Sequence, residues 1–431
     1  MTTQSLGAGS HDSHLDAREG RDPQQREADL MTRLPAQIAR AKQAAGFARI
    51  LAGVDPDAVT DRAALAALPV TRKSDLKALQ DAAPPWGGLT ATDTSRLSRL
   101  FMSPGPVFDP EGRGDDWWRF ARPMWSAGLR PGDIVHNAFS YHFTPAAFMV
   151  EGGARRIGCP VIPAGVGNLD MQLQSIAALK PAMYAGTPSF LKLIVEKALE
   201  TGADIGSLRR ALVSAEPLPP SLRAWLVENG VPVVLQLYGT ADLGCVGYET
   251  QADGVVTPGF VIDEDVIVEI VRPGTGMPVA DGEVGEIVVT LFNHDYPLVR
   301  LGTGDLSAVL TGASPCGRTN LRIKGWMGRA DQTTKVRGMF VHPAQVATIL
   351  KRHPRIAKAR LVVSGKTGDD RMVLHCELAP EATGTTNDGA YEEAIVATIR
   401  DVIRLRGEAA FVAPGSLAND GKVIEDARSL D

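Results

Sequence analysis

The stretch Asp133–Gly165, "DIVHNAFSYHFTPAAFMVEGGARRIGCPVIPAG", decides the fold. "DIVHNAF" is short, apolar and β-branched, so it predicts a strand; "AAFMVEGGARRIG" has helical length and ends on a glycine; "CPVIPAG" predicts a second strand. The same alternation continues: "MQLQSIAALK" predicts a helix, "PAMYAGT" a strand, "PSFLKLIVEKALETG" a helix and "LRRALVSA" a strand. Strands separated by helices of that length are βαβ units, which implies a mainly parallel sheet flanked by helices, an α/β fold.

Working outward, apolar residues from Leu34 to Leu51 recur at helical spacing, and "LPVTRKSDL" then offers Thr71 or Ser74 as a helix cap. After Gly230, "DVIVEIV" and "GEIVVTLF" are separated by Pro and Gly turns, which predicts an antiparallel, β-rich subdomain beside the parallel sheet. Beyond Gly328 the order strand, helix, strand, strand, helix predicts a small α+β domain. The expected division is therefore a disordered tail at 1–27, a large domain at 28–328 and a small, mobile C-terminal domain at 329–431.

The chain has 431 residues, 44% hydrophobic and 22% charged, with a formal net charge of -5. That is a globular composition with enough length for two or three domains. Lys and Arg are scattered and the balance is mildly acidic, so a nucleic-acid partner is not expected. No apolar run approaches the ~18 residues that span a bilayer, and the first residues carry no apolar block, so a cytoplasmic protein without membrane attachment is expected. Cys159, Cys245, Cys316 and Cys376 show no C-x-x-C spacing, which predicts reduced thiols and neither disulfides nor a zinc site.

One stretch resists this reading. "RLFMSPGPVFDPEG", Arg99–Gly112, has the spacing of a phosphate-cradling loop, but Pro104 and Pro106 remove N–H donors and it contains no lysine. Asp109 and Glu111 place carboxylates where an anion would sit, so phosphate repulsion is expected there.

"SAEPLPP" at Ser214–Pro220, "LQLYGTADLG" at Leu235–Gly244, "YPLVRLGTGDLS" at Tyr296–Ser307 and "GRADQTTKVRGMFVHPAQV" at Gly328–Val346 resemble, in this order, the motifs of the AMP-forming adenylating enzymes. "LPVTRKSDL", "GTPSF", "PCGRT" and the terminal "GKVIEDAR" point to the phenylacetate-CoA ligase branch. The resemblance implies ATP-dependent activation of a carboxylic acid as an acyl-adenylate, followed by thioester formation, with ATP/AMP, Mg²⁺ and coenzyme A. It further implies that Ser214, Ala215, Glu216 and Pro217 flank the adenine and that Gln236 meets its amino group. Tyr238 would stack on the purine, and Leu237 and Gly239 would bring backbone close. Thr240 would bond a phosphate and Asp242 would hold Mg²⁺. Asp305 accepts the ribose hydroxyls, Arg329 contacts ribose and phosphate, Asp331 is the hinge and Gly338 lies by the thiol tunnel. Lys422 is the lysine that reaches the carboxylate and the α-phosphate, with Asp242 and Thr240 as its catalytic companions. Tyr141, His142, Phe143, Gly165 and Ala215 would wall a pocket for an aromatic or small ring acid. The acceptor is CoA or a carrier-protein thiol, and a homodimer is one expected assembly. Two other readings stay open on the loop chemistry: a degenerate nucleotide-binding regulator, and an acyltransferase using a pre-activated donor.

Overall fold

The computed structural model describes residues 14–103, 106–330, 332, 334–366, 369–379, 388–417 and 423–428. The chain divides into two compact units, Met1–Met327 and Gly328–Asp431.

In the first unit the βαβ segments form as their patterns dictate. The strands Val135–Asn137, Met183–Gly186 and Arg210–Val213 pair in parallel and are almost wholly buried, as expected where helices cover both faces. The helix Ala146–Ile157 stops at Gly158, whose left-handed backbone (φ 90°) returns its N–H to Ala154 and Arg155. Gly153 inside that helix is required by packing, because a Cβ there would meet Phe120 at 2.7 Å. The helices Leu169–Leu179 and Pro188–Thr201 start on the side chains of Asn168 and Thr187. Among the described residues these strands belong to a nine-stranded sheet ordered Val309–Leu310, Arg322–Ile323, Phe260–Ile262, Gly244–Tyr248, Val233–Thr240, Arg210–Val213, Met183–Gly186, Val135–Asn137, Val161–Ile162. Val233–Thr240 joins its two halves, pairing in parallel with Arg210–Val213 and antiparallel with Gly244–Tyr248.

The β-rich part is a second sheet in which Val266–Val271, Gly285–Leu291 and Leu301–Ser307 run antiparallel. Its edge is closed by Thr71–Arg72, which pairs in parallel with Leu301 and Gly302. This corrects the expected cap. Thr71 is a strand residue, Ser74 lies in the short 3₁₀ turn Lys73–Asp75, and the helix Leu76–Ala82 begins without a side-chain cap. The strand assignment matters because it carries Lys73 to the sheet that bears Asp305.

Two further expectations are corrected. Arg99–Ser103 and Val107–Glu111 form a β-hairpin, in register from Ser103↔Val107 to Arg99↔Glu111, rather than an open loop; Pro104 and Gly105 lie outside the described residues. Gln80 of the helix Leu76–Ala82 clamps the hairpin by exchanging two 2.8 Å hydrogen bonds with the backbone of Phe108. The polar segment before residue 28 is not a disordered tail where it is described. Pro23–Ala41 is a helix capped by Asp22, and buried Arg26 binds Glu264 at 3.0 Å while Arg18 binds Asp265 at 2.7 Å. Residues 1–13 lie outside the described residues.

The second unit has a four-stranded sheet ordered Glu408–Val412, Asp369–Leu378, Ile356–Lys366, Ile424–Asp426, with the helices Pro343–Arg352 and Asp388–Ile403 and the hairpin Thr334–Val336/Met339–Val341. Among the described residues no helix is long and apolar enough to cross a membrane.

Candidate active site

The strand Val233–Thr240 and the strand Leu301–Ser307 bring Tyr238 and Asp305 together. The Tyr238 hydroxyl donates to Asp305 Oδ2 at 2.8 Å, and Trp326 Nε1 donates to Oδ1 at 3.0 Å. Both oxygens are thus oriented by neutral donors, and each carboxylate oxygen retains acceptor capacity for a further hydroxyl. Asp305 is 8% exposed and Tyr238 is 8% exposed, so Tyr238 shows little of its ring face and acts here chiefly as a support for the carboxylate.

Ser214–Pro217 follows the end of Arg210–Val213. Ser214 Oγ donates to the Leu237 carbonyl at 3.1 Å, and Ala215 adopts a left-handed backbone (φ 69°), an uncommon conformation for a residue with a Cβ. Glu216 Oε2 accepts from the Ser189 N–H at 3.4 Å. The Gln236 amide is engaged inside the protein: its oxygen accepts the Leu218 N–H at 3.1 Å and its nitrogen faces Glu249 at 3.4 Å. In this arrangement Gln236 shapes the turn after Ser214.

Asp242 sits in the tight connection between Val233–Thr240 and Gly244–Tyr248. Thr240 Oγ1 accepts the Leu243 N–H at 3.2 Å, and Arg119 ties the connection down by donating to the carbonyls of Leu243 and Cys245. Lys73 forms an ion pair with Asp242 Oδ1; the Asp242 side chain is 2% exposed and the Lys73 side chain 32%, its charged end being buried against the carboxylate. Burial opposes the charge on Lys73, but Asp242, Asp109 and Asp305 outweigh it and hold its pKa above the ordinary value. One lysine therefore senses three carboxylates drawn from three segments. Sequence reasoning missed this role, because "LPVTRKSDL" was read as a helix start and as a family motif, and nothing local links residue 73 to residue 242.

The hairpin adds Asp109, which accepts a 2.6 Å hydrogen bond from Ser103 Oγ. Burial, reinforced by the charge of Asp242, pushes the Asp109 carboxyl well above the usual carboxylate range. Glu111 is paired with Arg99 at 3.0 Å. The expected phosphate repulsion is corrected on both counts: one carboxyl is driven toward its neutral form and the other is neutralised by a partner.

Among the described residues, Asp109 Oδ1, Asp242 Oδ2 and the Tyr296 hydroxyl are buried without a hydrogen-bond partner. No group of three or more His, Cys, Asp and Glu side chains able to hold a metal occurs among the described residues. The orphaned Asp242 oxygen nevertheless fits Mg²⁺, which commonly takes one or two carboxylates and fills its remaining positions with water and phosphate oxygens.

The residues expected to wall the acid pocket follow the carboxyl ends of strands, where open α/β sheets present their ligand crevices. Asn137, which ends Val135–Asn137, donates through Nδ2 to the Tyr141 hydroxyl at 2.8 Å and accepts the Gly165 N–H on its backbone oxygen at 3.0 Å. Tyr141 packs edge-on against Phe148 at 5.5 Å, and His142 edge-on against Phe143 at 4.5 Å. Phe143 is 57% exposed, while its carbonyl accepts from Met102 of the hairpin at 2.9 Å. Tyr141 and Gly165 are thus joined through Asn137, a residue that sequence reasoning passed over. Within the second unit, Arg329 precedes the hairpin, and Gly338 occupies its turn with φ 83°. Asp331 and Lys422 lie outside the described residues.

A profile of the family described as AMP-binding enzyme matches residues 117–291. The phenylacetate-coenzyme A ligase of Thermus thermophilus is 30% identical over 339 residues, 76% of this chain and 75% of that protein. That of Escherichia coli is 31% identical over 349 residues, 78% of each. The crystal structure of 2-hydroxyisobutyryl-CoA ligase with 2-HIB-AMP and CoA aligns with a TM-score of 0.78 at 25% identity, covering 96% of this chain and 92% of that one. The family match at 117–291 includes Tyr238 and Asp242, and the chain belongs to the phenylacetate-coenzyme A ligase family of AMP-binding enzymes.

Proposed function

We propose that this protein activates a carboxylic acid with ATP and transfers the acyl group to coenzyme A, in the cytoplasm. A carboxylate is a poor acyl donor because oxide would have to leave. Attack of its oxygen on the α-phosphate expels pyrophosphate and gives an acyl-adenylate, from which AMP leaves readily when a thiolate adds to the acyl carbon. Little of this needs covalent help from the protein, so positioning and electrostatics carry it.

The observation that carries the reading is the convergence of Lys73, Asp242 and Asp305. Asp305 is suited to the ribose hydroxyls, with Tyr238 and Trp326 fixing its plane. Ser214–Pro217 and Leu237–Gly239 offer backbone to the adenine, and Thr240 offers a hydroxyl to phosphate. Lys73 supplies the lysine that Arg99–Gly112 lacks, and its position beside Asp242 suits charge that accumulates on departing pyrophosphate. Asp242 would hold Mg²⁺, which supplies further neutralisation of phosphate charge when bound. Arg329, Asp331, Gly338 and Lys422 keep the roles that the family resemblance implies: nucleotide contact, hinge, thiol passage and catalytic lysine. Tyr141, His142 and Phe143 favour an aromatic or small ring acid, since flat faces pack against flat faces. The phenylacetate-CoA ligases among its relatives support an aryl acid and CoA, and the 2-hydroxyisobutyryl-CoA ligase among its structural neighbours supports CoA as the thiol.

ATP–pyrophosphate exchange, screened across aryl and short-chain acids with thioester detected by mass, tests the reading. Exchange with an aryl acid and a CoA thioester product are expected. Nucleotide binding without exchange on any acid would overturn it in favour of a regulatory role. Lys422→Ala is expected to abolish exchange and to spare thioester formation from supplied acyl-adenylate; equal loss of both would remove Lys422 from its role.

A further inference from the structure

Between the strand Val161–Ile162 and the helix Leu169–Leu179 runs a short connection with two left-handed glycines, Gly165 (φ 65°) and Gly167 (φ 81°). Such a segment is conformationally permissive and would be loose if only its ends were fixed. It is held from beneath instead. Gln172, 3% exposed, turns its amide nitrogen to the carbonyls of Ala164 (3.4 Å), Gly165 (3.1 Å) and Gly167 (3.0 Å). An amide has two protons, so three carbonyls share them through one bifurcated bond.

The other end of that amide is fixed too. With the nitrogen committed to carbonyls, Gln172 Oε1 is the atom that meets His136 Nε2 at 2.5 Å, and the imidazole must donate. The proton therefore sits on Nε2. Nδ1 is buried without a partner among the described residues, which an unprotonated nitrogen tolerates and a second N–H would not. Burial accordingly holds the pKa of His136 below the ordinary histidine value, and the ring stays neutral. The three carbonyls thus set which way the Gln172 amide faces, and the bond from His136 holds it in that orientation.

The consequence lies at Gly165. Its N–H reaches the Asn137 carbonyl, Asn137 holds the Tyr141 hydroxyl, and nothing stands within 4 Å of the position a Gly165 Cβ would take. We propose that Gln172, held by His136, is a positioning residue that fixes the 164–167 connection as one wall of the acid pocket and thereby sets the apparent affinity and size selectivity for the acid. This rests on the reading that the chain activates an acid beside Gly165 and Tyr141. Neither Gln172 nor His136 touches the acid in this scheme; each acts through the backbone it holds.

The test combines amide hydrogen exchange with steady-state kinetics on the full chain. In Gln172→Leu, exchange at residues 164–168 should rise at least tenfold. The acid KM should rise about tenfold or more, while the ATP KM and the kcat of the preferred acid change by less than twofold, and the ratio of kcat/KM between small and large acids should narrow. Gln172→Glu keeps the size and the acceptor for His136 but loses the N–H pair, and it should show the same split if Gln172→Leu does not fold. Unchanged exchange at 164–168 in a folded variant would overturn the proposal. So would a loosened connection with an unmoved acid KM, or equal rises in acid and ATP KM. Absence of exchange activity in the unaltered protein with every acid would instead remove the acid-activation reading, and this proposal with it.

Discussion

The hairpin Arg99–Glu111 and the strands Val233–Thr240 and Leu301–Ser307 differ in how they assemble their polar groups. In the strands, residues of two recognisable runs, "LYGTAD" and "GTGD", meet directly, with the Tyr238 hydroxyl donating to Asp305. In the hairpin the motif chemistry is missing, and the site is rebuilt from afar. Lys73 arrives from the edge strand of another sheet, and Asp109 is buried, bonded to Ser103 and held toward neutrality. A lysine absent from one stretch of sequence can thus be set near its carboxylate by another segment.

The largest effect separating the two regions is expected at Asp305. Asp305→Ala removes two charge-assisted hydrogen bonds to ribose, each worth about 1.5–3 kcal/mol, so AMP and ATP should both bind at least ~100-fold more weakly. It also strands the Tyr238 and Trp326 donors, which should lower Tm. Calorimetry with both nucleotides checks it; a loss confined to ATP would move Asp305 to the phosphate side and break the comparison.

A smaller, selective effect is expected at Lys73. Lys73→Ala should weaken ATP by about 10–100-fold, the range of one or two charge-assisted contacts, and leave AMP within about threefold. The ammonium also neutralises buried Asp242, so some stability should be lost as well. Equal weakening of both nucleotides would show that Lys73 only supports the fold around Asp242. The unaltered protein should hold ATP more tightly than AMP even in EDTA, the reverse of what the loop sequence alone implies.

The two regions also differ in how far they could be read from sequence. The α/β alternation at 133–214 was legible because strand and helix periods are local properties. Asp305 and Asp242 were legible because each sits inside a recognisable run. Lys73 was not, since its meaning depends on the parallel pairing of Thr71–Arg72 with Leu301–Gly302, more than 200 positions away. The same holds for the helix Pro23–Ala41: its polar residues resemble a solvated tail until Arg26 meets Glu264. Asp109 was visible as an acidic residue, but its protonation depends on burial and on Asp242, and neither leaves a trace in the local sequence.

The smallest effect tests that protonation directly. A carboxyl whose pKa is higher in the folded chain than in the unfolded chain binds its proton more tightly when folded. Its contribution is therefore favourable below the unfolded pKa, about 3.9, and is lost as pH rises toward the folded value. Asp109 has this sign, because burial and then Asp242 raise it. Asp116, raised by burial to about 7, has the same sign, so the unaltered protein alone cannot isolate Asp109. The difference between the unaltered protein and Asp109→Asn can. Asparagine keeps the shape and can accept from Ser103, but has no proton to lose. Stability from denaturant melts should therefore decline less steeply in Asp109→Asn between pH 4 and 7, by no more than about 1.4 kcal/mol per pH unit, the limit for one proton. ATP affinity should change by less than about threefold at pH 6, where Asp109 is already largely neutral. Parallel stability curves for the two proteins would mean that Asp109 is ionised throughout, and the hairpin would then confront phosphate with the negative charge its sequence suggests.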